Sequence, residues 1–118
     1  MRPDRLYLTD ILDAAGAIGR FLAGIDRDGF LDNELVQSAV LQKLAVIGEA
    51  AVKLDKSATV RAADQAMEWS DIIGFRNIVV HAYFAIQWPI VWVTATKDVP
   101  ELAPRVAAIL ATISNPTS

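Results

Sequence analysis

The chain has 118 residues, of which 53% are hydrophobic and 21% charged, with a net charge of −3, one histidine and no cysteine. That length fits a single domain, residues 1–118, with a small core of its own. The missing cysteine excludes disulfides, thiolate catalysis and cysteine-ligated zinc, one histidine argues against a structural zinc site within one chain, and the acidic balance excludes a general nucleic-acid-coating surface.

Any action on RNA or DNA must therefore use a local cleft with a few well-placed cations. The apolar fraction exceeds what a monomer of this size needs inside, which points to a subunit interface or a membrane. The start of the chain, "MRPDRLYLTD", is charged and lacks the apolar core of a signal peptide, so the expected compartment is the cytoplasm.

The first helical pattern is "DRLYLTDILDAAGAIGRFLAG", where Ile11, Ala15, Ile18, Leu22 and Ile25 recur at steps of four and three. Asp4 is placed to cap its start, and Gly24 with the polar "DRDG" to end it. A second helix is expected through "DNELVQSAVLQKLAVIGEAAVKLDK", with Val36, Val40, Leu44, Ile47, Ala51 and Leu54 as its stripe. Asp32 and Glu34 suit its N-terminus, and Lys53 and Lys56 its C-terminus. Ala39, Gly48, Ala50 and Ala51 are small enough for another helix to approach closely, and Glu49 reads as a solvated helix residue.

Residues 57–67 lack a stripe and read as a connector with room for a short helical turn. A third helix is expected from near Trp69 through Ile72, Ile73, Arg76, Val79, Val80, Tyr83 and Phe84. A fourth starts around Pro89, whose ring suits a first turn, and includes Trp92. A fifth starts at "DVPEL", where Asp98 and Glu101 resemble a capping box, and carries Leu102, Val106, Ile109, Leu110 and Ile113. The tail "SNPTS" is expected to fray. The fold class is all-α, a four- to five-helix up-and-down bundle.

Between Arg76 and Lys97 the chain has no fixed charge, a run long enough to cross a membrane. It contains Asn77, His81, Gln87 and Pro89, and no lysine or arginine cluster flanks it, so two short helices meeting near Gln87 to Pro89 explain it better.

The chemistry-bearing residues lie in "FRNIVVHAYF". On one continuous helix Arg76 and Tyr83 share a face, Asn77 and His81 share another, and His81 lies about 140° around from Arg76. Arginine offers a planar fork of donors for phosphate oxygens, and histidine exchanges a proton near neutral pH. Together they suit attack of an RNA 2′-hydroxyl on its neighbouring phosphate, which needs both a base and an acid. One histidine would have to serve alone, whereas a two-fold dimer brings a second histidine and arginine to the same axis. The structural alternative makes Tyr83 a core or interface aromatic and Arg76 an ion-pair partner of Asp71 or Glu68. No Gly-rich phosphate loop, His-Glu-x-x-His pair or Gly-x-Ser-x-Gly elbow is present.

The order "DILDAAGAIGRFLAG", "AVLQKLAVIGEAAVKL", "EWSDIIGFRNIVVHAYFAI" and "VW" followed by "DVPEL" resembles the HepT-like toxins of the HEPN superfamily over nearly the whole chain. The most specific element is Arg-x4-His-x-Tyr, here Arg76, His81 and Tyr83, with Asn77 after the arginine; Trp69 and "IGEAA" at Ile47 to Ala51 add to it. The chain departs from the family pattern at Glu68, where many relatives have proline, and at Gln87, where an acid is common. The resemblance implies a homodimeric, all-helical, metal-independent ribonuclease toxin without cofactor, with the Arg-x4-His motifs meeting at the dimer interface. It implies Arg76 as the phosphate-binding group, His81 as acid/base, Asn77 as a supporting residue, and Tyr83 as the site of AMPylation by a nucleotidyltransferase antitoxin. The alternative is a non-catalytic HEPN module that binds nucleotide or a partner protein.

Overall fold

The computed structural model of the chain describes residues 2–114, and these are helical throughout apart from turns and loops. The segments are α1 (Asp4–Phe21), α2 (Arg27–Leu31), α3 (Glu34–Leu54), α4 (Ala58–Ala63), α5 (Ser70–His81), a 3₁₀ turn (Tyr83–Ala85), α6 (Trp88–Val93), a π turn (Thr94–Asp98) and α7 (Val99–Ser114). Of the tail "SNPTS" expected to fray, Ser114 is the last residue of α7, and residues 115–118 lie outside the described residues.

The centre of the bundle is α3, which packs mainly on α1 and α5, while α7 closes over α1. Its expected stripe is buried from Val40 through Leu44, Ile47, Ala51 and Leu54, while Val36 at its start is only half-buried. By length and composition α3 is apolar enough to cross a membrane, but its apolar face is used inside the bundle. On α1 the buried face is Leu8, Ile11, Ala14, Ala17 and Ile18, so the stripe starts one turn earlier than expected and Leu22 and Ile25 lie only half-buried beyond the helix. Gly24, at φ 75°, supplies the left-handed residue of the following turn, a conformation only glycine adopts without cost. Asp4 does not cap α1: Pro3 occupies that position, and the Asp4 carboxylate instead accepts a bond from Ser57 Oγ at the start of α4.

Two short helices stand where loops were expected or barely allowed. In α2, Asp26 accepts from Gly29 N (2.8 Å) and so caps a single turn that delivers Phe30, fully buried, against Trp92 (ring centroids 5.4 Å apart) and Trp88. The carbonyls at the end of α2 accept from the buried Gln37 side chain, at 3.0 Å for both Phe30 and Leu31. In α4, Ser57 caps the turn and Val60 is buried, while Arg105 of α7 forks onto the Asp64 carboxylate that follows it.

The fourth and fifth helices run together. Pro89 sits in the first turn of α6 as expected, but Asp98 and Glu101 are no capping box: the helical path passes through the π turn, and Glu101 pairs with Lys97. Pro100 has no N–H for the Thr96 carbonyl, and a widened turn at that point tolerates the missing bond.

Candidate functional site

Helix α5 carries the motif, and its position follows from one contact with α3. Trp69 is buried at its start, and Ile72, Ile73, Phe75 and Val79 lie half-buried against the core. Where α5 crosses α3, Arg76 lies over Gly48. A methyl group at Gly48 would sit 2.3 Å from Arg76 Cβ and 2.8 Å from its Cγ, so only glycine permits this approach.

The Arg76 side chain is 22% exposed and held on two sides. Its Nε donates to Glu49 Oε1 at 2.7 Å, and its Nη1 donates to Asn77 Oδ1 at 2.8 Å. A guanidinium has five N–H donors. With Nε and one Nη1 proton committed, one N–H on Nη1 and both on Nη2 remain for a ligand. The partner of Arg76 is therefore Glu49, 27 residues away in sequence, and neither Asp71 nor Glu68. Glu49 itself, read from sequence as merely solvated, is half-exposed yet engaged.

His81 is the last residue of α5 and is exposed, and its imidazole has no hydrogen-bond or ion-pair partner among the described residues. It rises about 7.5 Å along α5 from Arg76 and lies about 140° around from it. Helix α5 thus carries both groups but does not aim them at one point within one chain. Apolar side chains surround His81 in sequence and stand in solvent: Ile78, Val80 and Phe84, the last 92% exposed.

Tyr83 departs from the helical expectation. Ala82, at φ −144° and ψ 49°, leaves the helical region, and Tyr83 falls on the 3₁₀ turn beyond it. The predicted common face of Arg76 and Tyr83 requires a helix that continues through residue 83. Instead the exposed phenol lines an open cleft of about 420 Å³ at the α2–α3 corner, with Asp32, Glu34, Gln37, Ser38 and Trp88. Ser38 and Gly48 are about 15 Å apart along the α3 axis, so guanidinium and phenol are addressed by different parts of that helix. Among the described residues no group of three or more histidine, aspartate and glutamate side chains is arranged to hold a metal ion.

An all-helical chain with Arg-x4-His at the end of a packed helix, followed by Tyr, is of the HEPN class. Residues 11–109 match the family described as "Ribonuclease HepT-like", and the chain belongs to that family. It is 31% identical to "Putative RNase MJ1380" of Methanocaldococcus jannaschii over 92% of this chain and 97% of that protein. It is 32% identical to "Putative RNase TTE0752" of Caldanaerobacter subterraneus over 93% of this chain and 96% of that protein. With "Probable ribonuclease HepT" of Thermococcus cleftensis it shares 30% identity over 86% of this chain and 90% of that protein. No solved structure matches the chain.

Proposed function

We propose that the chain is a metal-independent endoribonuclease, acting as a cytoplasmic homodimer and as the toxin of a toxin–antitoxin pair. The observation that carries the reading is the held Arg76 guanidinium, with donors to spare, on the same helix as an exposed and unpartnered His81. The family and the names of its members support ribonuclease chemistry.

In the reaction, Arg76 binds the non-bridging oxygens of one phosphate. His81 of one copy removes the proton of the 2′-hydroxyl, whose oxygen attacks the adjacent phosphorus. The bond from phosphorus to the 5′-oxygen breaks, and His81 of the second copy protonates that oxygen. The products are a 2′,3′-cyclic phosphate and a 5′-hydroxyl, so protons and bonds balance without a metal. The second copy supplies the second imidazole, since one chain holds one. The apolar side chains around His81 supply the surface through which the copies pair. Asn77 supports the site through Arg76. Tyr83, exposed and away from the guanidinium, is reachable by a nucleotidyltransferase antitoxin: the phenol oxygen, losing its proton, attacks the α-phosphorus of ATP, and pyrophosphate leaves as AMP is attached.

Purified protein is expected to cleave RNA in the presence of a chelator. The His81→Ala variant is expected to lose cleavage, by at least about 10²-fold, while keeping the same mass in solution by light scattering. Cleavage by that variant at the parent rate refutes the assignment.

A further inference from the structure

We propose that Glu49 is a positioning residue for the reaction, fixing the plane of the Arg76 guanidinium so that its terminal nitrogens meet the phosphate. The inference rests on the reading of Arg76 as the phosphate-binding group.

An ordinary surface ion pair contributes little and is dispensable. This pair differs in three respects. First, Arg76 is largely buried, and its stem is pressed against Gly48, the residue before Glu49, so the carboxylate and the guanidinium are placed by the same helix crossing. Secondly, Glu49 accepts from Nε alone and leaves the terminal nitrogens, so the contact holds the side chain without occupying the fork that a phosphate needs. Thirdly, Asn77 takes a proton of Nη1, so the guanidinium is held at two of its three nitrogens and cannot turn about its last torsion without breaking a bond. What remains is a fixed set of donors on Nη1 and Nη2. A donor set already in place costs no reorganisation when charge builds on the phosphoryl oxygens.

The carboxylate also has an opposing effect. It is a negative charge beside the phosphate site, so it weakens binding of RNA in the ground state. Positioning and repulsion therefore separate in kinetics. Glu49→Ala releases the guanidinium and removes the charge. Its kcat is expected to fall at least about tenfold, with KM unchanged or lower. Glu49→Gln keeps an oxygen for the Nε–H bond, and its kcat is expected to stay within about threefold of the parent. A merely structural role moves the melting temperature and leaves kcat of the folded alanine variant at the parent value.

A second readout does not depend on cleavage. In ¹⁵N-labelled protein the Arg76 Nε–H resonance is expected to exchange slowly with water in the parent and in Glu49→Gln, and rapidly in Glu49→Ala. Equal exchange in all three proteins overturns the inference, as does an alanine variant with the parent kcat. If the parent itself cleaves no RNA, or Arg76→Ala cleaves as the parent does, the functional reading fails instead, and the exchange rates still decide whether Glu49 holds the guanidinium.

Discussion

Arg76 is committed at Nε and Nη1 and uncommitted at Nη2, a division of labour that no other cationic side chain can reproduce. Lysine carries its donors on one nitrogen, so it cannot hold Glu49 and Asn77 and also present a planar fork. Arg76→Lys is therefore expected to lower kcat/KM about 10²-fold without unfolding the chain; steady-state rates on a short RNA check it, and a loss below threefold contradicts it. The Glu49 contact also marks the limit of local pattern reading. A glutamate half in water on an amphipathic helix looks solvated, and its partner lies 27 residues further on. The available signal was Gly48 beside it, in a helix where small residues already indicated close approach. Gln37, a polar side chain buried to satisfy the end of α2, carried no such signal.

At the level of elements, the crossing of α3 and α5 sets the site, and two glycines separate its effect from helix propensity. At Gly48 an added Cβ meets Arg76 inside contact distance, whereas at Gly19 on α1 it meets nothing within 4 Å. Gly48→Ala is expected to destabilise the fold by about 1–3 kcal/mol through overpacking. Gly19→Ala is expected to stabilise it by roughly 0.5–1 kcal/mol, because alanine replaces glycine in a helix. Urea midpoints of the two variants, moving in opposite directions, are the check; a shift of the same sign in both contradicts the close-approach account. The stripe of α3 was legible because it is long and periodic. The five residues of α2 are too few for a period, and their "DRDG" surroundings read as a turn, so Phe30 was missed as a core residue. The end of α5 is hidden in the sequence for the opposite reason: Ala82 is a good helix former, and nothing local announces that the chain leaves the helix there.

For the whole molecule, a net charge of −3 means that RNA is not gathered by a broad field, so the site must be built locally and, on the proposed mechanism, twice. Exposed Ile78, Val80 and Phe84 beside His81 are the surface through which pairing is proposed. Phe84→Glu puts a charge into that surface and is expected to halve the mass in solution and to abolish cleavage together, leaving the helical signal intact. A monomeric parent, or a monomeric variant with full activity, contradicts shared use of the two imidazoles. The all-helical class was legible from periodicity, and the family from the Arg-x4-His-x-Tyr order; the turn that separates Tyr83 from Arg76 was not, because it depends on how the chain packs after α5.

On the proposed mechanism Arg76 and His81 direct a 2′-hydroxyl onto the adjacent phosphate. A short oligoribonucleotide with its cleaved position replaced by a 2′-deoxynucleotide, compared by mass spectrometry with the all-ribose strand, tests it most directly. The all-ribose strand is expected to give a 2′,3′-cyclic phosphate and a 5′-hydroxyl, and the substituted strand no cut at its deoxy position. A cut at the deoxy position, or products ending in 3′-hydroxyl and 5′-phosphate, contradicts it.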